Sequence, residues 1–462
     1  MTRNIMTNTY SILGSARSGL AAAKLLHAEG SDVFVSDSRP TSESAEAIAL
    51  LDELGIPHEF GGHTERVLKA STIVLSPGVP DTVAIVRRAI GMGKDLVSEI
   101  EIAAARCRAP IVAITGTNGK TTTTELAGHI FRAAGRKTFV AGNVGLAFSE
   151  IAAEADESSV VVLEVSSFQL EHIKTFRPRV AVVTNVTPDH LDRYSDFAHY
   201  LSAKKRIAEN QTTDDTLIVG VDSEPVRTAS FRGRAKRLEF SSDAIVTAGA
   251  FLHGGDVMIR RGDAESAEKL IEADDIRIRG PHNLYNAMAA SLAALSLGVD
   301  REVVANALRD FAGVPHRLEA VGEIDGVRYV NDSKATNVDS VRYALASFDE
   351  PIVLIAGGTS KKAAYNALFD LVRDRVKAVV LVGDAAGEME TAFAPHARII
   401  RAGYSLEDAV EAARSIAVHG DVVLLSPACA SFDMFKNFEH RGDAFRALVH
   451  AMRSRVDQRQ AV

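Results

Sequence analysis

Cysteine is scarce: the 462 residues contain two, Cys107 and Cys429. Two cannot build a disulfide framework, so a stapled secreted scaffold is excluded and a reducing cytoplasm is the expected location. An excess of positive charge is also missing. The formal net charge is −8, which argues against a basic protein that coats nucleic acid. Anionic ligands would therefore need cations concentrated locally. No apolar run approaches the roughly 18 residues of a membrane span. Arg3, Arg17 and Lys24 interrupt the apolar stretch from Met1 to Leu26, so no secretory signal is expected there. What remains is ordinary globular material, 46% hydrophobic and 24% charged, which excludes wholesale disorder and collagen-like sequence. At roughly 150 residues per domain the length suggests about three domains.

Short β-branched runs alternate with Ala/Leu-rich helical patterns, the mark of parallel α/β units. The first block reads strand Tyr10–Leu13, a Gly/Ser turn, helix Gly19–Glu29, strand Asp32–Ser36, and a further strand Thr72–Leu75 ending in Ser76-Pro77-Gly78. The second opens on Ile111–Ile114 and continues through Val160–Leu163 and Val180–Val183. Arg234 to Arg279 lacks helical periodicity and reads as antiparallel strands or long loops. Asn286 to Leu297 is apolar enough for a buried helix. A linker at Gly313-Val314-Pro315 precedes a third block with strands Val327–Val330, Ile352–Ile355, Ala378–Val382 and Val422–Leu425. The expected fold is three α/β domains: Rossmann-like over 1–98, a phosphate-loop mononucleotide-binding domain over 99–313, and a second Rossmann-like domain over 314–462. No repeat of solenoid period is present.

The most informative segment is Thr115-Gly116-Thr117-Asn118-Gly119-Lys120-Thr121-Thr122, between the strand Ile111–Ile114 and the helical run Glu125–Ala134. A glycine turn at a helix N-terminus offers backbone N–H groups and a positive dipole end to phosphate. Lys120 would reach the terminal phosphates and the Thr121 hydroxyl would ligate Mg²⁺. The strict pattern wants a glycine where this chain has Ile114. The bland alternative is a tight turn with a chance lysine.

Glu164 ends the strand Val160–Leu163, and His190 follows the strand Val180–Val183. Ligands of open parallel sheets gather at the carboxyl ends of strands, so both can converge with the loop. Alone, Glu164 reads as a surface carboxylate and His190 as a loop histidine. Lys204, in Ser202-Ala203-Lys204-Lys205, alone reads as a solvated helix face.

The T-G-T-N-G-K-T-T loop resembles that of the Mur ligase family, which builds the peptide stem of bacterial cell-wall precursors. The resemblance implies ATP and two Mg²⁺ ions, the second held by His190 and by Lys204 as its carbamate. Carbamylation turns an amine into an anionic oxygen ligand, which suits Mg²⁺. The resemblance extends to Gly280-Pro281-His282-Asn283-Leu284-Tyr285-Asn286, with Asn286 near adenine, and to Arg317 on the ATP phosphates. In Asn331-Asp332-Ser333-Lys334-Ala335-Thr336 it implies Asp332 on the ribose and Lys334 on the reacting phosphate. Read bare, that run is a turn.

Gly14-Ser15-Ala16-Arg17-Ser18-Gly19 and the later Asp37 form a broken dinucleotide fingerprint, with Ala16 at the second glycine position, and keep NAD binding open. In the family this block holds the UDP of a sugar nucleotide, which assigns Arg17, Ser18, Asp37, Ser38, Arg39 and Gly78 to that ligand. Asn143, in Gly142-Asn143-Val144-Gly145, is implied to meet the growing stem.

Near the C-terminus, Ser426-Pro427-Ala428-Cys429-Ala430-Ser431 and Phe435-Lys436-Asn437-Phe438-Glu439-His440-Arg441-Gly442 resemble the D-glutamate-adding branch of the family. That places Ser431, Phe438, Thr336 and Lys361 on D-glutamate. Thr359-Ser360-Lys361-Lys362 lacks an aspartate that some relatives carry, so Lys362 can stand in for Lys361. A helix is expected after Ser431, and Cys429 is expected to be a buried packing residue.

The implied reaction joins UDP-N-acetylmuramoyl-L-alanine to D-glutamate through an acyl-phosphate, in the cytoplasm, by a monomer, without nucleic acid or membrane. The proton of the attacking amine can go to His190, a phosphate oxygen or water. Because the ATP residues divide between the second and third blocks, closure of the domains is expected. Three alternatives stand beside this reading. A folylpolyglutamate synthase or another stem-peptide ligase would lack the S-P-A-C-A-S segment. An NAD-dependent oxidoreductase leaves Lys120, Glu164 and His190 unexplained. A nucleotide-gated binding protein needs no intact Lys204.

Overall fold

The computed structural model describes residues 8–189, 193–262, 266–360 and 363–460. Among the described residues the strands form three sheets. Strands β1 (Thr9–Leu13), β2 (Asp32–Asp37), β3 (His58–Phe60), β4 (Thr72–Leu75) and β5 (Asp95–Ser98) form an all-parallel sheet of order β3-β2-β1-β4-β5. The order reverses between β1 and β4, which opens a crevice beyond their carboxyl ends. The turns after these two strands meet there: Ser76 Oγ donates to Gly14 O at 3.1 Å.

The central sheet contains β6 (Ile111–Thr115), β7 (Lys137–Gly142), β8 (Ser159–Glu164), β9 (Val180–Val183), β10 (Thr216–Gly220), β11 (Lys236–Ser241), β12 (Gly249–His253), β13 (Asp256–Arg260) and β14 (Glu268–Glu272). Its order is β14-β13-β12-β11-β10-β9-β6-β8-β7. β6 lies between β8 and β9, parallel to both, so the loop after it opens between the ends of those two strands. All residues of β6 and β8 are buried, because helices cover both faces of a parallel sheet and its strands read as continuous apolar runs. Ile114 belongs to this strand and is fully buried, which accounts for the missing first glycine of the loop pattern. Each such side chain contributes roughly 1.5–3 kcal/mol by leaving water.

The region Arg234–Arg279 is part strand ladder. β12, β13 and β14 pair antiparallel as expected, but β11 pairs parallel with both β10 and β12. The expected helix from Asn286 begins earlier and spans Pro281–Ser296. The first helix spans Arg17–Ala28, starting two residues before the expected Gly19.

Strands β15 (Glu319–Ile324), β16 (Val327–Asn331), β17 (Ile352–Gly357), β18 (Val376–Val382), β19 (Arg398–Arg401) and β20 (Val422–Leu425) form the last sheet, ordered β15-β16-β20-β17-β18-β19. Only β15 is antiparallel to its neighbour.

Contacts group the chain into two compact units, Met1–Ile276 with Leu284–Phe311, and Arg277–Asn283 with Ala312–Val462. The first two sheets share one unit. Helix Arg17–Ala28 packs on the helices Glu99–Ala104 and Phe148–Ile151. The Glu101 carboxylate accepts the N–H groups of Lys174, Thr175 and Phe176 at 2.8–3.0 Å.

Candidate active site

In the first unit, β6 runs into the glycine loop and the next helix begins at Lys120, spanning Lys120–Ala133. Gly116 and Gly119 have φ of 151° and 83°, a region side chains rarely adopt. A Cβ on Gly116 would lie 1.9 Å from Thr184 Oγ1, and one on Gly119 would lie 2.2 Å from Asn286 Oδ1. Glycine is therefore required at both positions by space as well as by backbone.

The loop is latched to the end of β9. Thr117 N donates to Asn185 O and Asn118 N to Asn185 Oδ1, each at 2.9 Å, while Thr184 Oγ1 donates to Asn118 O at 2.7 Å. Asn185 was not singled out from the sequence; its trace there was a polar residue just past a strand end. Lys120 Nζ folds over its own loop, donating to Gly116 O at 3.0 Å and Thr117 O at 2.9 Å. Thr121 and Thr122 are buried in the first helical turn. Asn286 is buried behind the loop, its Oδ1 accepting from Thr123 Oγ1 at 3.2 Å.

Glu164 closes the opposite side. It pairs in register with Ile114 and is 1% exposed, not a surface carboxylate. Its Oε1 accepts from Asn143 Nδ2 at 2.8 Å, while its Oε2 is buried without a hydrogen-bond partner. An ionised oxygen left bare in a protein interior is costly unless a cation takes it.

Lys204 is 2% exposed, and its Nζ donates to Gly116 O at 2.7 Å. Burial and the nearby Lys120 charge pull its amine well below the usual lysine range, against the attraction of Asp189 and Glu164. The adjacent Lys205 is only partly buried. The donor set fits Mg²⁺: a bare carboxylate oxygen, a threonine hydroxyl and a lysine able to become an anionic oxygen ligand. His190 lies outside the described residues. Among the described residues no group of three or more His, Cys, Asp or Glu side chains forms a metal cluster.

The nucleotide-type turn of the first sheet is built on Asp37. Its carboxylate accepts from Ser15 N at 2.6 Å, Ser15 Oγ at 2.7 Å, Arg39 N at 2.9 Å and Arg39 Nη2 at 2.9 Å. Burial pushes its pKa up, but the hydrogen bonds from Arg39 and Ser15 outweigh that and hold it well below the carboxylate range. Ser18 is half-buried, Ser38 and Gly78 are exposed, and a Cβ on Gly78 would meet nothing within 4 Å. Arg17 faces the neighbouring loop: its guanidinium donates to Gly145 O at 2.5 Å, Gly142 O at 3.0 Å and Asn143 O at 3.3 Å. Through Asn143 this connects the turn to Glu164. If this turn holds the sugar nucleotide that the resemblance implies, Asp37→Asn should raise KM for it about tenfold, by loosening Arg39 and Ser15 together, and leave KM for the implied ATP unchanged. Steady-state titration of each substrate checks it.

In the second unit, Asp332 follows β16 and is 1% exposed; its Oδ2 accepts from Ser426 Oγ at 2.8 Å. Burial pushes its pKa up to about 6. Arg317 is half-buried and attracts Asp332 electrostatically. Lys334 Nζ sits 5.5 Å from the centre of the Phe438 ring, and Thr336 N donates to Lys334 O at 2.9 Å. Ser431 is buried, with its carbonyl accepting from Phe435 N at 2.8 Å. The segment after it is a turn; the helix begins at Phe438, not directly after Ser431 as expected. Cys429 is 1% exposed, as expected of a packing residue. Lys361 and Lys362 lie outside the described residues.

Three family models match the chain: a Mur ligase MurD-like N-terminal domain over residues 8–98, a Mur ligase middle domain over 114–294, and a Mur ligase glutamate ligase domain over 316–429. A protein of Salinibacter ruber named UDP-N-acetylmuramoylalanine–D-glutamate ligase is 48% identical over 451 residues, covering 96% of this chain and 97% of that one. The chain belongs to the Mur ligase family. A protein of the same name from Acidobacterium capsulatum is 43% identical, again over 96% of each chain. Among solved structures, the UDP-N-acetylmuramate–alanine ligase of Thermotoga maritima superposes with a TM-score of 0.58 at 20% identity, covering 96% of this Mur ligase and 99% of that chain. A pseudomurein peptide ligase type C from Methanothermus fervidus gives 0.58 at 20% identity over 96% of this chain and 100% of that one. These two likenesses show the three-domain α/β fold.

Asp332 predicts a pH dependence in this Mur ligase. If it accepts a hydrogen bond from the ATP ribose, KM for ATP should rise as pH falls through about 6, because the carboxyl then protonates. Asp332→Asn should flatten that profile. Initial rates between about pH 5 and 8 check both.

Proposed function

We propose that this Mur ligase joins the carboxylate of UDP-N-acetylmuramoyl-L-alanine to the amine of D-glutamate, with ATP converted to ADP and phosphate, as a step of peptidoglycan precursor synthesis. The observation that carries the reading is the half-buried Lys120 and the buried Lys204, both donating to the Gly116 carbonyl of one glycine loop, with the bare Glu164 Oε2 at the end of the neighbouring strand. The choice of D-glutamate is supported by the relatives' shared name and by the MurD-like N-terminal match.

The substrate carboxylate attacks the γ-phosphorus, giving an acyl-phosphate and ADP; the amine then attacks the acyl carbon, and phosphate leaves. Two unit charges about 4 Å apart repel by roughly 4 kcal/mol at an effective dielectric near 20, so an anion nearing polyphosphate needs cations. Lys120 moves from the Gly116 and Thr117 carbonyls onto the γ-phosphate, while the N–H groups of the first helical turn, rather than those of Thr117 and Asn118 that Asn185 already takes, hold the phosphate oxygens. Gly116, Thr117, Asn118, Gly119, Thr121 and Thr122 form that cradle, with Asn286 behind it and Arg317, Asp332 and Lys334 on the same nucleotide. Bound Mg²⁺ supplies charge neutralisation to the transferring phosphoryl group. We assign its two sites to Thr121, Glu164, His190 and the Lys204 carbamate. Arg17, Ser18, Asp37, Ser38, Arg39 and Gly78 form the UDP site, with Asn143 at the stem. Thr336, Lys361, Ser431 and Phe438 receive D-glutamate. The enzyme is proposed to act as a cytoplasmic monomer; among the described residues no helix is long and apolar enough to cross a membrane.

Phosphate release with ATP, Mg²⁺, UDP-N-acetylmuramoyl-L-alanine and a panel of amino acids tests the reading. Release should require D-glutamate. Release with L-glutamate and a folate instead would refute it.

A further inference from the structure

Arg193 has no part in the chemistry above, yet it joins two ligand-bearing regions of the first unit. It lies between His190 and the helix Phe197–Lys205, whose last turn carries Lys204, so it belongs to the segment proposed to hold metal. Its guanidinium leaves that segment for the turn after β4. Nη1 donates to Pro77 O at 2.6 Å, and Nη2 makes a longer bond to Val79 O at 3.4 Å. The side chain is 18% exposed. Its guanidinium carbon lies 4.0 Å from the centre of the Phe168 ring, and Glu171 Oε2 is 3.7 Å from Nη2. The residue after Glu171 holds the same stretch at its far end: His172 Nε2 and Asp81 Oδ1 are 2.9 Å apart.

The turn that Arg193 holds is one wall of the crevice between β1 and β4. The other wall, the Gly14–Gly19 segment, packs directly on it. Ser76 Oγ donates to Gly14 O at 3.1 Å. A Cβ on Gly14 would lie 2.9 Å from Ser76 Cβ, and one on Gly19 would lie 2.8 Å from Ser76 Oγ. With so little slack, a shift of one wall is felt by the other. A Cβ on Gly78 meets nothing within 4 Å, so the turn is gripped at Pro77 and Val79 and open between them. Arginine suits this task. Its planar fork reaches two carbonyls at once while its face stacks on an aromatic ring, which a lysine ammonium cannot reproduce. Arg17 runs the opposite way, from the Gly14–Gly19 segment to the carbonyls of Gly142, Asn143 and Gly145. The two arginines thus tie both walls of the crevice to the ends of the central sheet.

We propose that Arg193 is a positioning residue for the sugar-nucleotide substrate, holding the Ser76–Val79 turn in place at the crevice without touching the ligand. This rests on the proposed assignment of Gly78 and the Gly14–Gly19 segment to UDP. The test compares the full-length enzyme with Arg193→Met and Arg193→Lys. Calorimetry measures the binding of UDP-N-acetylmuramoyl-L-alanine and, separately, of a non-hydrolysable ATP analogue with Mg²⁺, with thermal unfolding of each variant. Arg193→Met should weaken sugar-nucleotide binding about tenfold and leave the ATP analogue within about twofold. Arg193→Lys, which keeps the charge but loses the fork, should fold and weaken sugar-nucleotide binding alone by about threefold, so it carries the test if the Met variant does not fold. Unchanged sugar-nucleotide affinity, or an equal loss for both ligands with lost thermal stability, would overturn the proposal. A wild-type enzyme that does not bind the sugar nucleotide would instead refute the functional reading, before any variant is compared.

Discussion

Lys204→Ala should lower kcat by roughly a thousandfold, the scale of losing a group that stabilises transition-state charge. The side chain is 2% exposed, with its amine on the carbonyl of Gly116 inside the phosphate loop. Burial and the neighbouring Lys120 cation both disfavour the ammonium form. A neutral amine is a nucleophile toward CO₂: an N–C bond forms, a proton leaves, and a cation-prone group becomes a carbamate anion. That anion would stand on the phosphate loop, within electrostatic reach of Glu164, whose Oε2 is bare. ¹³C NMR of the enzyme in labelled bicarbonate checks the chemistry separately from the rate. A carbamate resonance should be present in the wild type and absent from the alanine variant. Undiminished turnover by Lys204→Ala would remove the residue from the site.

Lys120→Met should cost kcat about as much, with KM for D-glutamate unchanged. Without ligand, its ammonium occupies two carbonyls of its own loop, Gly116 and Thr117, so it is already held within one side-chain swing of the phosphates. Its removal deletes one cation from a site where each close charge pair is worth up to roughly 4 kcal/mol. The loop should survive, because Gly116, Gly119 and the Asn185 latch shape it without the lysine. Normal thermal stability with collapsed ADP release is the expected pair of results.

The glycine loop was legible because strand, turn and helix follow one another locally, and the strand ends could be read from apolar runs. Glu164 was legible for the same reason: the register that sets it beside Ile114 follows from parallel pairing. What escaped was tertiary. The Arg17 guanidinium, whose proposed place is on the sugar nucleotide, also reaches carbonyls 125 to 128 positions away. No local pattern reports such a contact. Arg441 lies in the segment Phe435–Gly442, yet nothing in its sequence neighbours says that it is buried on the carbonyls of Ser333 and Cys429. The parallel pairing of β11 was hidden because its exposed Lys236 and Arg237 break the apolar run expected of a strand in a parallel sheet. The helix expected after Ser431 fails for a local reason: its carbonyl closes a short turn with Met434 and Phe435, and helical bonding starts only at Phe438.

The most direct test of the mechanism follows oxygen. UDP-N-acetylmuramoyl-L-alanine labelled with ¹⁸O in its terminal carboxylate is turned over with ATP and D-glutamate, and the released phosphate is analysed by mass spectrometry. If a carboxylate oxygen attacks the γ-phosphorus at the Lys120 loop, each phosphate carries one labelled oxygen and the nucleotide product is ADP. Unlabelled phosphate, or AMP with pyrophosphate, would contradict the account.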